Sequence, residues 1–409
     1  MIKPPVASMD QIKHLVSERA LTGETVLLNM GPQHPSTHGV LRLLLELDGE
    51  IIVNCIPDIG FLHTGIEKNM EAKTYQKAEV MTDRIDYMYT MGNNLVYCLA
   101  VEKLTGLDVP ERAEYLRVIL AELSRLQSHL LWIGTSAMDL AAMSVFLYAM
   151  REREMVLDVF ELVAGQRMMT TYIRPGGLWR NPPEGFEAAV REILKVFPRR
   201  IKEYESLLTR NPLFRDRTIG IGTISVEDCI HQGVTGPIIR GSGLAYDLRK
   251  ARPYSAYSRF DFDIPTQMEG DCYARYLVRV EEMRQSLRII EQALDHLPKG
   301  PFRSDNRKFI PPPRSELGVS MEALIHHFKL WTEGFSAPIG SVYTGIESPR
   351  GEMGVYLEGD GGPKPYRVHY RSPSFMNLQA LPLMARGHFV ADLVGIIGSI
   401  DIVLGDTDR

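Results

Sequence analysis

GPQHPSTHGVL, residues 31–41, is the stretch from which the rest of the chain is read. It holds two prolines, two glycines and two histidines between the apolar run TVLLNM (25–30) and an alternating run, so it reads as a rigid polar turn between strands. His34 and His38 lie four apart, but Pro35 breaks any helix between them, so that spacing does not place them on one helical face. Taken alone, such a loop is a surface turn with solvated histidines. A functional reading needs support from the rest of the chain.

Working outward, residues 24–29 and 40–47 read as strands, the second alternating through Leu41, Leu43, Leu45 and Leu47. Asp48-Gly49 then turns the chain into a third strand at 51–55, giving a small N-terminal antiparallel sheet. The spacing of Met81, Ile85, Met88, Leu95 and Leu99 predicts one long helix from near Tyr75, with Arg84, Tyr87 and Met91 on a neighbouring face. A second helix opens at Asp108 and Pro110 and runs through Leu130 with a polar face of Glu122, Arg125 and His129. A break is expected at GTSAMD (134–139), then a third helix over 140–163. Further helices are expected at 184–208, 273–297 and 321–331, an irregular Gly/Pro-rich stretch at 212–265, and a β-hairpin at 354–371 before a helical tail. The chain divides accordingly into an N-terminal region (1–72), a helical core (73–338) and a C-terminal hairpin and tail (339–409).

A formal net charge of -5 with 24% charged residues argues against nucleic acid, which would select a basic face. Cys55, Cys98, Cys229 and Cys272 are far apart with no CxxC pair, so no metal site is expected and reduced thiols of a cytoplasmic protein are the default. The N-terminus lacks the apolar core of a secretory signal, and the late apolar run 393–404 is short and carries Asp401, so no membrane span is expected.

GPQHPSTHGVLR, GFLHTGIEK, TDRIDY (82–87), RPGG, ESPRGEMG (347–354) and the terminal DIVLGDTDR occur in order over nearly the whole chain. Together they resemble the family of quinone-site subunits of proton-translocating NADH-quinone oxidoreductase, respiratory complex I. That family is related to the large subunit of nickel-iron hydrogenases, whose metal is held by CxxC pairs that are missing here. The resemblance implies a mainly α, α+β fold: a hydrogenase-like helical core, a small N-terminal antiparallel sheet, and a C-terminal hairpin returning toward the sheet region. It also implies a quinone, ubiquinone or menaquinone, bound where the metal once sat. A neighbouring subunit would carry the terminal [4Fe-4S] cluster. The other implied partners are the adjacent peripheral-arm subunits and the membrane subunit at the quinone channel. The implied place is the cytoplasmic side of the inner membrane, or the matrix side in a mitochondrion. The competing readings are the homologous subunit of a ferredoxin-driven or membrane-bound hydrogenase-type complex, and a scaffold without a chemical role.

Quinone reduction adds two electrons and two protons, so a site needs donors placed at the carbonyl oxygens. By the resemblance, Tyr87 and His38 are the headgroup residues, and Asp139 is the carboxylate that pairs with the loop histidine and favours its cation. Arg84, one turn before Tyr87 on the expected helix, would place a cation nearby. His34, Thr37 and Met91 are further candidates for binding the quinone, and Arg350 and Asp401 for lining the cavity mouth. Thr64 and Met169 stand where many relatives have Arg and His near the cluster. Both are uncharged, so the cluster's potential is expected to lack the pH dependence that a titrating neighbour confers.

Overall fold

The computed structural model describes residues 23–409, so the start of the N-terminal region 1–72 lies outside the described residues. Strands β1 (Val26–Met30), β2 (Arg42–Asp48) and β3 (Ile51–Asp58) form the expected antiparallel sheet in sequence order. Leu43, Leu45 and Leu47 point inward from β2 because side chains alternate along a strand. Residues 31–41 are the connection from β1 to β2, whose pairing begins at Met30 and Leu43.

A short helix, α1 (Ile66–Glu71), comes first, and the single helix expected from Tyr75 is instead two, α2 (Tyr75–Thr82) and α3 (Thr90–Thr105), flanking a turn at 83–89. Tighter backbone turns, such as Arg84 N to the Met81 carbonyl at 3.2 Å, together with side-chain hydrogen bonds replace the helical ladder there. Asn94 Nδ2 donates to Asp83 Oδ1 at 2.9 Å, and Asn93 Nδ2 donates to the Asp86 carbonyl at 2.7 Å. Short polar side chains compete in this way with helix hydrogen bonding. Helix α4 (Glu111–Asp139) runs straight through the expected break at 134–139, and the chain turns only at 140–142 before α5 (Met143–Ala164). Asp139 therefore ends α4 and does not cap the following helix.

Helix α4 is the central rod, packed against α5 and against α7 (Cys272–Asp295), with α6 (Phe186–Leu208) outside. Its polar face is buried within an ion network. Glu122 accepts from Tyr257 and Ser286 and pairs with Arg125 and Arg249; His129 meets Glu282 at 2.8 Å, which also binds Arg240. Buried charges persist only when paired and hydrogen-bonded in this way. Beyond α8 (Met321–Thr332) lie β4 (Gly340–Ser348), β5 (Gly351–Gly359) and β6 (Pro365–Arg371), a three-stranded sheet where one hairpin is expected. This sheet packs on α3 instead of returning to β1–β3. The tail does return: helices α9 (Pro373–Leu378), α10 (Val390–Ile400) and α11 (Leu404–Asp408) share one apolar cluster with Leu41, Leu43 and Leu45. The three sequence regions are thus not three separate cores.

One buried acid on α2 is left short of partners. Glu79 is buried with Oε1 unpaired, and desolvation pushes its carboxyl up to about 8. Such a group contributes stability that is complete below the usual carboxylate value and is lost progressively as pH rises through about 8. Ionising it in place costs on the order of 5 kcal/mol. Thermal melts of the chain in its complex should show Glu79→Gln closest to wild type near pH 5 and clearly above it at pH 9. Equal melting at pH 9 would mean the carboxyl is solvated there.

Candidate functional site

The loop 31–41 is built by its own side chains. His34 caps a single 3-10 turn, Pro35–Thr37, its Nδ1 accepting from Ser36 N at 3.2 Å. The buried Thr37 hydroxyl donates toward the carbonyls of Pro32 and His34. Gly31 has φ +84, and a Cβ there would come within 2.3 Å of the Leu41 carbonyl, so the loop's two ends meet only at glycine. His38 closes the turn in the left-handed region, φ 54. Thr37 is therefore a buried brace for the loop, while His38 is presented outward.

Tyr87 sits in the turn 83–89, half-buried, and its hydroxyl has no hydrogen-bond partner among the described residues. The turn is pinned from both ends. Thr171 donates to Asp83 Oδ2 through its N at 3.1 Å and its hydroxyl at 2.5 Å, and Asp86 Oδ1 accepts from Met88 N at 3.0 Å. The tail presses on the same turn, since a Cβ at Gly405 would lie 2.7 Å from the Ile85 carbonyl and 3.6 Å from the Tyr87 ring.

Arg350 joins these parts. Ser348 pairs with Gly351 across the β4–β5 hairpin, so Pro349 and Arg350 are its whole turn, and the guanidinium reaches into the interior. Nη1 donates to Asp86 Oδ2 at 2.6 Å and to Ser128 Oγ on α4 at 3.1 Å. Nε donates to the Asp401 carbonyl at 2.8 Å and Nη2 to Asp401 Oδ1 at 3.2 Å. Arg350 and Asp401 therefore lie beneath the site, buried, and not at its mouth. The planar fork suits this multiple binding.

The charge of Arg350 bears on both headgroup candidates. Tyr87 is raised above the ordinary phenol range, first by desolvation, with Asp86 and Asp401 adding to it and Arg350 opposing. His38 is exposed at its outer surface yet largely surrounded by protein, and desolvation, then Arg350, lower its pKa. The imidazole is thus neutral at pH 7, against the expectation of a cation held by Asp139. Asp139 is also exposed; desolvation raises its pKa, and the histidine whose charge opposes that rise is His34. No hydrogen bond joins His38 to Asp139 among the described residues.

Exposed pairs of this kind are worth roughly 0–1 kcal/mol, so the His34 and Asp139 coupling is expected to be small. A double-mutant cycle on quinone reduction should show His34→Ala and Asp139→Asn departing from additivity by about two- to fivefold. A coupling above tenfold between His38→Ala and Asp139→Asn would restore the pairing expected from the sequence.

The other residues singled out in the sequence fall elsewhere. Arg84 is exposed in the turn, outside any helix, and Nη1 donates to the Val80 carbonyl at 2.6 Å, closing the end of α2. It does not share a helical face with Tyr87. Met91 is fully buried on α3, its sulfur accepting from Thr170 at 3.4 Å, and belongs to the apolar core. Thr64 is exposed, and Met169 lies half-buried with φ 54 in the loop that pins Asp83.

Sequence reasoning missed Asp86, Ser128, Asp406 and Asp408. Asp408 accepts from Gly60 N at 2.9 Å and Leu62 N at 2.6 Å, and Arg409 pairs with Glu67, stitching GDTDR to GFLHTGIEK. The acids of those motifs were the available signal. Among the described residues no group of three or more His, Cys, Asp or Glu side chains is placed to hold a metal, and all four cysteines are buried and unpaired. Desolvation pushes Cys55 up to about 12 and Cys229 to about 11, so neither is a thiolate.

The family model described as the respiratory-chain NADH dehydrogenase, 49 Kd subunit, matches residues 139–409. A D-type subunit of NADH-quinone oxidoreductase from Roseiflexus sp. (strain RS-1) is 61% identical over 399 residues, 96% of either chain. Its counterpart from Chloroflexus aurantiacus is 59% identical over 96% of this chain and 97% of its own. The counterpart from Herpetosiphon aurantiacus is 55% identical over 100% of this chain and 98% of its own. With the family model covering the helical core beyond α4 and the tail, and relatives this similar spanning the loop and turn as well, the chain belongs to the 49 kDa-subunit family of the respiratory-chain NADH dehydrogenase.

Proposed function

We propose that this subunit of an NADH-quinone oxidoreductase receives the quinone headgroup between the loop 31–41 and the turn 83–89. The observation that carries the reading is that the charge of one buried guanidinium, Arg350, which holds Asp86 of the turn, acts on both Tyr87 and His38. Tyr87, neutral and with a free hydroxyl, gives a proton to one quinone oxygen as electrons arrive. His38, a neutral imidazole, donates an N–H hydrogen bond to the other carbonyl and orients the ring. Both keep solvent-facing surface on this chain, so a partner closes the site, and the subunit that carries the terminal [4Fe-4S] cluster is the one that must lie there to supply electrons. The other partners are the adjacent peripheral-arm subunits and the membrane subunit at the quinone channel. No helix among the described residues is long and apolar enough to cross a membrane, and the proposed place is peripheral, on the cytoplasmic or matrix side. The names of the relatives favour NADH over ferredoxin as the ultimate electron source.

Photolabelling of the assembled complex with an azido-quinone tests the placement. Label is expected in residues 31–41 and 83–89 and should fall when excess quinone competes. Competable label confined to other segments would overturn the assignment.

A further inference from the structure

We propose that a cavity lined by α2, the loop 174–179, the segment 303–311 and Trp331 of α8 binds a carboxylate that carries a small apolar body. None of its lining residues belongs to the loop 31–41 or the turn 83–89, so it is separate from the quinone site.

The RPGG motif builds one wall. Pro175 and Gly176 turn the chain within a strand pair, Ile173–Arg174 and Gly177–Leu178, in which Arg174 pairs with Gly177. Gly177 pairs on its other edge with Arg303. Residues paired across strands point to the same face, so Arg174 and Arg303 project together, two strand spacings or roughly 10 Å apart at the backbone, with no side chain between them. Both line the cavity. A Cβ at Gly177, φ +143, would lie 2.4 Å from the Phe302 carbonyl and 2.6 Å from Arg303 Cα, so only glycine lets the two segments meet. Arg117 Nη2 donates to the carbonyls of Arg174 at 2.8 Å and Gly177 at 3.1 Å, and Gly176 N donates to Glu102 Oε1 at 2.7 Å. A buried ion pair, Arg117 with Glu102, thus fixes the wall in place.

The two guanidiniums lack a counter-ion. Arg174 donates from Nε to the Thr171 carbonyl at 3.3 Å and lies over the Trp179 ring, Arg303 lies over the Phe302 ring, and neither forms an ion pair with a carboxylate among the described residues. Burial, then Arg307, lower the pKa of Arg303, with Glu316 opposing, as for a cation short of an anion. The acid in the lining, Glu79, does not neutralise them. It is buried with Oε1 unpaired, and desolvation pushes it up to about 8, Arg174 and Arg117 opposing and Asp83 and Glu102 adding, so at pH 7 it keeps its proton. Two cations and a neutral O–H donor attract an anion, and guanidiniums hold a carboxylate through paired N–H donors. Gln76 Oε1 is also buried and unpaired, with its Nε2 donating to the Phe309 carbonyl at 3.2 Å, which leaves an acceptor for water or for a ligand N–H or O–H.

The remaining walls decide between a carboxylate and a phosphate. Trp179, Trp331, Phe309 and Ile310 present apolar surface that a hydrocarbon body would cover and a phosphate would leave bare. The cavity measures about 60 Å³. One water takes on the order of 10–15 Å³ on that measure, so there is room for about five waters or for a ligand up to the size of benzoate. Both tryptophans keep exposed surface, which puts the mouth of the cavity on their side.

Cryo-electron microscopy of the assembled complex in excess benzoate tests the proposal. The ring is expected in the cavity with its carboxylate on Arg174 and Arg303. A cavity already filled by an acidic side chain or chain end of a neighbouring subunit would support the same chemistry and identify that subunit as the source. Water alone in the cavity, or an apolar side chain filling it, would overturn the proposal. Equilibrium dialysis of the complex against radiolabelled benzoate reads the affinity. Arg303→Gln and Arg174→Gln should each weaken it by about tenfold or more, since each removes a charged donor pair. Benzamide, which lacks the charge, and inorganic phosphate, which lacks the ring, should each compete about tenfold more weakly than unlabelled benzoate. Competition by either that matches benzoate, or unchanged affinity in both variants, would also overturn it. Both variants should assemble, because neither arginine holds an acid among the described residues, and their quinone reduction checks this. If Arg174→Gln fails to assemble, Arg303→Gln decides.

Discussion

Tyr87→Phe is expected to lower quinone reduction by about 100-fold or more, the range in which a positioned proton donor contributes. Oxidation of NADH by an artificial acceptor should be unchanged, because those electrons leave before reaching this chain. The substitution removes one oxygen and keeps the ring that packs against Gly405. The hydroxyl has no partner among the described residues, so its loss leaves no orphaned donor or acceptor within the chain, and folding should be unaffected. A drop in kcat with little change in KM would place the loss in the proton-transfer step. Unchanged turnover would favour the scaffold reading, and parallel loss of both activities would indicate faulty assembly.

Regular elements of the fold were legible where one period dominated. The alternation from Leu41 to Leu47 marked β2, and the spacing from Leu116 to Leu130 marked α4. Periodicity failed at 83–89 because Ile85 and Met88 are buried in a turn just as they would be in a helix, and burial alone does not distinguish the two. The polar letters of TDRIDY carried the correction, since Asp86 Oδ1 takes the Met88 N–H that a helix would have bonded itself, and Asp83 ties the turn to Asn94 and Thr171. GTSAMD misled in the opposite sense. Its small residues read as a loop, yet Gly134 lies against Phe146 and Ser136 beside Gly398, so close helix packing, not a break, requires them. The quoted motifs did mark the site, but not its arrangement. Arg350 and Asp86 are 264 residues apart and meet only because a two-residue hairpin turn points inward, which no local pattern records.

Arg350→Met is expected to be the most destabilising single change at the site. The side chain is 2% exposed and holds Asp86, Asp401 and Ser128, so methionine fills the volume but leaves two carboxyls without their cation. Breaking a buried pair from one side typically costs about 3–5 kcal/mol, which rivals the stability margin of many proteins. The cost should depend on pH in a definite direction. Asp401 is already raised to about 6 with Arg350 opposing that rise, so without the guanidinium its folded value rises further. A raised carboxyl contributes stability that is present below its unfolded value and lost as pH rises through the folded one. The variant should therefore melt closer to wild type at pH 5 than at pH 8. Arg350→Lys should recover only part of the loss, because one ammonium cannot serve Asp86, Ser128 and both acceptors of Asp401 at once. Adding Asp86→Asn and Asp401→Asn to Arg350→Met removes the stranded charges and should regain part of the melting temperature at pH 8. If those additions destabilise the variant further at pH 8, the acids are not stranded charges and Arg350 acts through packing alone.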